Sequence, residues 1–386
     1  MSRIKLLRVI PDLQMGGVQR MLLRTLEKIV PLGVDAEVCC IRAERGQLED
    51  HLAALGIPVH HIPFHSRLDP FGLWRLRKLI VEGGFQIVHG HMYVANIAVN
   101  LAMIRQPGVA VVNGYHSQRP FLSSNQARMI RWTRDIPAAW IAVSNSVKAP
   151  LLDLGVPDSK IHVIYNGIAV HGKSKPLPQR ANGDPLELVW AGRFVPQKRH
   201  IFMLGVVEAC KTRGIPVNLT LVGDGPALYK SIKHVADNNL AGVVRFMGVQ
   251  DNVWPFLANA ELFVSTSNRE GFPNALIEAC AAGRGFLASD IPPHSELCGS
   301  SGAGLLFGEN VDDWANAIEG LVADRSRVAR MGAAAAGLSQ VYTVEMTATK
   351  TMELYRKLMG QASDGSSIRN VVPETESVEK STLPPR

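Results

Sequence analysis

No apolar run in this chain approaches the ~18 residues needed to span a bilayer. The opening stretch, MSRIKLLRVIPDLQMGG, is too short in its apolar part for a secretory signal. Cysteine is scarce: Cys39, Cys40, Cys210, Cys280 and Cys298 form no C-x-x-C pair, and Cys39 and Cys40 would face opposite sides of one strand. That pattern argues against a zinc site and favours buried thiols in a reducing cytosol. No D-x-D triplet occurs, so no carboxylate-held divalent metal is signalled and no metal ligands are assigned. The turn after the first apolar run is Gly16-Gly17, not G-x-G-x-x-G, which weakens a dinucleotide (nicotinamide) reading. No nucleic-acid-binding signature accompanies the formal net charge of +7, so no nucleic acid is expected as a partner. The charge leaves anionic lipid and anionic substrates open.

What is present reads as two globular domains: 386 residues, 46% hydrophobic and 19% charged. Apolar strands alternate with helical stretches, implying parallel sheets covered on both faces. In the first half the strands are predicted at Ile4–Ile10, Ala36–Ile41, Val59–Ile62, Gln86–His89, Val109–Val112, Trp140–Val143 and His162–Ile164. Amphipathic segments such as Val18–Ile29 and Leu73–Val81 lie between them. In the second half they are predicted at Leu186–Trp190, Val217–Val222, Val243–Phe246, Leu262–Val264, Phe286–Ala288 and Leu305–Phe307. The expected division is a first domain over 1–168, a polar, proline-rich linker over 169–185 and a second domain over 186–343. A helix over 344–360 follows, and a tail over 361–386 lacks an apolar period and is expected to be disordered.

The chain is organised around Glu261 to Gly283, which reads as strand, polar loop and helix. Gly271-Phe272-Pro273 open the helix, and Asn274 to Ala282 carry it. Glu270 sits in the loop and Glu278 on the helix, with a helix N-terminus suited to an anion between them. Glu278 could accept hydrogen bonds from a vicinal diol, and Glu270 could face the far end of a diphosphate. Two glutamates at this spacing are also common as ordinary surface residues. After Leu186–Trp190 come Gly192, Arg193 and Lys198, two cations that could neutralise a diphosphate leaving group, or simply form a basic surface loop.

E-G-F-P-N-A-L-I-E-A resembles the signature of retaining GT-B glycosyltransferases, above all glycosyltransferase family 4, and Gly192-Arg193…Lys198 resembles the family's G-R-x-x-x-x-K. Val163-Ile164-Tyr165-Asn166-Gly167-Ile168 and Gly223-Asp224-Gly225-Pro226 are similar to further family patterns. The resemblance covers about residues 1–360, loosely in the first half. It implies the GT-B fold, two Rossmann-like α/β domains facing a cleft, with the late helix crossing back onto the first domain. It implies that Arg193 and Lys198 stabilise the departing diphosphate, Glu270 contacts the transferred sugar and Glu278 holds the ribose. Backbone groups of Gly271, Phe272 and Asn274 would hold phosphate and sugar, and Met247 would adjoin the base. Gly16 and Gly17 would face donor phosphate and acceptor. His91 and His116 would stand at cleft-facing strand ends, His116 against the donor sugar, although either could be an ordinary polar histidine at a strand end. Asp290 to Leu297 departs from the family's glycine-rich loop; Pro292 and Pro293 read as a stiffened loop with no binding role.

The resemblance therefore implies a metal-independent, retaining hexosyltransferase without a cofactor. Its donor would be a nucleotide diphosphate sugar of UDP or GDP type, and its acceptor a glycan or lipid-linked glycan in cell-surface polysaccharide or lipopolysaccharide synthesis. The expected location is the cytoplasm, with the inner face of the plasma membrane as a candidate docking surface. Arg128, Arg131 and Arg134, near Met129, Ile130 and Trp132 in the basic segment Arg119–Trp140, could press on an anionic leaflet or form a solvated face with a buried Trp. A GT-B-fold epimerase or hydrolase, and a non-catalytic nucleotide-sugar-binding protein, remain as alternatives.

Overall fold

A computed structural model of the chain describes residues 3–66, 69–117, 123–169 and 176–360. The expected disordered tail, linker residues 170–175 and the start of the basic segment at Arg119 lie outside the described residues.

The first sheet holds β1 (Ile4–Ile10), β2 (Val34–Cys40), β3 (Val59–His61), β4 (Ile87–His91), β5 (Ala110–Tyr115), β6 (Ala139–Ala142) and β7 (Ile161–Val163). Their order is β3-β2-β1-β4-β5-β6-β7. The second sheet holds β8 (Leu186–Ala191), β9 (Val217–Val222), β10 (Val244–Phe246), β11 (Leu262–Ser265), β12 (Gly285–Ser289) and β13 (Gly304–Phe307), in the order β10-β9-β8-β11-β12-β13. Every pairing is parallel. Both sheets are doubly wound, so each brings loops together outside its strand C-termini, where ligands of such sheets bind. The two Rossmann-like halves expected from the sequence are present.

β4 and β5 run further than their apolar residues suggest. His91 and Asn113 are polar yet buried. The neighbouring helix satisfies this stretch: Asn113 Nδ2 donates to Asn100 Oδ1 at 3.1 Å, and Asn96 Nδ2 donates to the Gly114 carbonyl at 2.9 Å. Residues 290–297 are not a stiffened loop. Pro292 and Pro293 begin the helix Pro292–Cys298, because proline fits a first turn that needs no N–H donor. The second domain also carries a long helix, Arg325–Ser339, supported by the Ala333–Ala336 run.

The chain passes between the sheets twice, side by side. Ile168 bridges to Thr343, and the two exchange backbone bonds through Ile168 N to Tyr342 O and Val344 N to Ile168 O. The helix Val344–Leu358 then lies on the first sheet with the helix Gly17–Ile29: Tyr355 is fully buried with Leu22 and Leu26, and Lys28 pairs with Glu345 at 2.7 Å.

Candidate functional site

The loops after β8 and β11 meet at the C-terminal end of the second sheet. Thr266 Oγ1 donates to the Lys198 carbonyl at 2.9 Å, and Asn268 N donates to the Gln197 carbonyl at 3.0 Å, pinning the tight turn Pro196–Lys198. Lys198 Nζ consequently lies 2.5 Å from Glu270 Oε1, with the two side chains 21% and 11% exposed. Burial alone would push the Glu270 carboxyl up, but the Lys198 ammonium, a bond from Ser267 and nearby His294 together hold it below the usual glutamate range. Arg193 stands exposed beside this turn, and Gly192 takes φ +156°.

After Glu270 the loop lies against the first domain. A Cβ on Gly271 would stand 2.0 Å from the His116 carbonyl oxygen, so only glycine fits this crossing. Ser144 Oγ donates to the Gly271 carbonyl at 2.8 Å. Phe272 buries its ring against Tyr165 and Tyr342, leaving its backbone as the part that can serve a ligand. The helix Asn274–Ala281 starts after Pro273, and no side chain caps it. Asn274 Oδ1 accepts from Asn166 Nδ2 at 3.1 Å, and its Nδ2 lies 3.6 Å from where a side chain on Gly17 would begin. Glu278, one turn on, meets Arg24 at 3.3 Å across a cleft of about 520 Å³ that Arg20, Trp254 and Asp251 also line. Gly16 begins the helix that carries Arg20 and Arg24. Met247, at the end of β10, is 39% exposed.

The first domain contributes an arginine–histidine chain. Arg8 Nη1 donates to His91 Nε2 at 2.8 Å, and His91 Nδ1 lies 3.2 Å from His116 Nε2. His89 stacks on His91 with centroids 4.2 Å apart, and its Nδ1 lies 2.7 Å from Tyr355 Oη. Parallel register aligns Arg8 with His89 and His91 with Gly114, and the missing Cβ at Gly114 leaves the space in which the imidazoles converge. Burial, together with the Arg8 charge and the neighbouring histidines, holds His89 and His91 well below the usual histidine range. Burial and then Arg8 push His116 down to about 4. His91 is buried behind His116 with both nitrogens engaged, so it touches His116 rather than the cleft expected from the sequence. Among the described residues no cluster of three or more His, Cys, Asp or Glu side chains could hold a metal ion.

Sequence reasoning missed Glu296, which it left in a loop without a role. The helix Pro292–Cys298 carries it to the first domain, where Oε1 accepts from Asn145 N at 2.7 Å and Tyr165 Oη at 2.8 Å. Its Oε2 accepts from Ser146 N at 2.9 Å and Ser146 Oγ at 2.7 Å. Asn145 and Ser146 open the helix Asn145–Asp153, capped by Ser144, so the carboxylate sits on a helix N-terminus. The Pro-Pro pair at a helix start was the available clue. The basic helix Ser124–Thr133 buries Ile130 but leaves Trp132 65% exposed, against the buried Trp of the solvated-face reading. No helix among the described residues is long and apolar enough to cross a membrane.

Known proteins share this layout. The capsular polysaccharide biosynthesis glycosyltransferase CapH of Staphylococcus aureus is 24% identical over 91% of this chain and 98% of its own length. The UDP-Gal:α-D-GlcNAc-diphosphoundecaprenol α-1,3-galactosyltransferase of Escherichia coli is 27% identical, over 84% of this chain and 89% of that protein. The crystal structure of Anabaena Alr3699/HepE in complex with UDP superposes with a TM-score of 0.80 at 18% identity, covering 92% of this chain and all of that one, which shows the same fold. The family model for Glycosyltransferase Family 4 matches residues 15–171, and that for Glycosyl transferases group 1 matches residues 175–337. With both halves matched, the chain belongs to the GT-B glycosyltransferases of the family 4 type.

Proposed function

We propose that this glycosyltransferase is a retaining, metal-independent hexosyltransferase. It moves a sugar from a nucleotide diphosphate sugar of UDP or GDP type to a hydroxyl of a glycan or lipid-linked glycan, in the synthesis of a cell-surface polysaccharide. The observation that carries this reading is the Lys198–Glu270 pair, 2.5 Å apart, on the loop that also packs against His116. Lys198 and exposed Arg193 take the charge of the departing diphosphate, so side-chain cations serve where other enzymes use a metal. The anomeric carbon–oxygen bond to the diphosphate breaks, the bond to the acceptor oxygen forms on the same face, and the acceptor proton passes to the leaving phosphate. Glu270 and His116 orient the sugar. Glu278 holds the ribose beside the 520 Å³ cleft once Arg24 releases it. Gly16, Gly17, Gly192, Met247, Gly271, Phe272 and Asn274 line the remainder of the site, largely through their backbones; His91 supports His116 from behind. Residues 169–185 act as the linker about which the two domains close, excluding water.

The names of the relatives support a polysaccharide or lipid-linked acceptor, since one acts on a diphosphoundecaprenol-linked sugar. An anionic membrane surface is a partner of the same reading: exposed Trp132 shares its helix with Arg128 and Arg131.

Thermal stability against UDP, GDP, ADP, TDP and CMP, without added metal, tests the site. A ligand at about 100 times its dissociation constant adds ~2.7 kcal/mol. One diphosphate is expected to stabilise the wild type, with a smaller gain in Lys198→Ala. No stabilisation by any of the five, or equal gains in the variant, overturns the assignment.

A further inference from the structure

We propose that Arg8 is a positioning residue that, acting through His91, fixes His116 as the tautomer carrying its proton on Nδ1, so that this nitrogen is a hydrogen-bond donor for the transferred sugar. This rests on the reading of His116 as a sugar contact.

The assignment follows from which groups can only donate. A guanidinium has no acceptor and keeps its charge in proteins. Arg8 Nη1 lies 2.8 Å from His91 Nε2, so that nitrogen must offer its lone pair. His91 is neutral, since burial, His89, Arg8 and His116 all oppose its protonation, and its single proton is therefore on Nδ1. His91 Nδ1 lies 3.2 Å from His116 Nε2, so the proton points at His116 and Nε2 of that ring must accept it. His116 is neutral by the same argument. Its one proton is left for Nδ1, an atom that is buried and has no partner among the described residues. The direction of every bond in the chain is set by its far end.

Arg8 is costly where it stands. It is 2% exposed, and its Nε and Nη2 have no partner among the described residues. Its compensation is one bond to His91 and a Tyr355 ring 5.8 Å from its guanidinium carbon. Among the described residues no carboxylate pairs with it. A buried charge with unfilled donors is a poor stabiliser, and here its one fully made bond leads to the residue that touches Glu270's loop.

Nitrogen-15 spectra of the histidine rings in the full-length protein at pH 7.5 read the tautomers directly. His116→Asn identifies the His116 signals. Wild-type His116 is expected to carry its proton on Nδ1. In His91→Phe the proton should move to Nε2, the form usual for an unconstrained ring. In His91→Asn it should stay on Nδ1, because the asparagine amide still donates to Nε2. A wild-type proton on Nε2 overturns the proposal without any variant having to fold. A proton still on Nδ1 in folded His91→Phe overturns it as well. The site reading fails separately: if no nucleoside diphosphate stabilises the chain, the sugar contact falls while the tautomer result stands.

Discussion

The two sheets share one winding order but handle charge in opposite ways. In the second domain a cation and an anion face each other: Lys198 and Glu270 touch at 2.5 Å, with both side chains still reachable by solvent. On the proposed reading, a diphosphate would compete for that lysine and leave the carboxylate for the sugar. In the first domain the cation is sealed in, and Arg8 meets a neutral imidazole and the Tyr355 ring. A partly exposed ion pair can be opened by a ligand. A buried cation backed by imidazoles cannot be, but it can dictate which way protons point.

Acid should break the first arrangement most strongly. His89 and His91 titrate well below the usual range and His116 at about 4, whereas the unfolded chain takes up these protons near 6.5. The unfolded state therefore binds more protons between about pH 6.5 and 4, and stability falls as pH drops through that window. Each histidine contributes roughly 1 kcal/mol per pH unit, so the three together consume a large part of a typical 5–15 kcal/mol. Denaturant unfolding at pH 7 and pH 5 checks this; equal stabilities at the two would contradict it. Arg8→Met removes a charge that opposes all three and should make the loss shallower.

Lys198→Ala is the corresponding break in the second domain, with kcat expected to fall about 10²–10³-fold in donor turnover assays. Next comes the joint between domains. Glu296→Ala removes three hydrogen bonds at the start of the helix Asn145–Asp153 and a fourth from Tyr165 Oη. It should cost about 2 kcal/mol in chemical unfolding. The smallest effect sharpens the contrast. The Arg24–Glu278 pair is partly exposed, at 24% and 19%. Such pairs are worth about 0.2–1 kcal/mol, so Arg24→Ala should tighten nucleotide binding by up to about fivefold in calorimetry. Weaker binding would mean that Arg24 itself holds the ligand.

The second domain was the more legible in sequence because its candidate site residues lie in contiguous stretches. Gly192 to Lys198 and Glu270 to Glu278 each sit on one loop–strand or loop–helix junction, so spacing along the chain carried the geometry. β1, β9 and the start of β8 could be placed from apolar runs alone. The first domain gathers its polar groups from strands far apart in sequence: Arg8, His89, His91 and His116 meet only through parallel register, and Arg8 reads as an ordinary residue inside an apolar strand. Glu296 was hidden for a related reason. Its partners lie 131 to 151 residues away in the other domain, and two prolines disguised the helix that carries it.

That carboxylate has a further consequence. A helix start with open amides is a natural seat for phosphate, and the helix Asn145–Asp153 is such a seat facing the second domain. Glu296 already fills it. An acceptor carried on a diphosphate, as the proposed function has it, would find this seat taken by the protein's own resident anion and would have to bind elsewhere. On the same occupancy, any separation of the two domains would be a ligand-exchange event, in which water or a solution anion takes the place of Glu296.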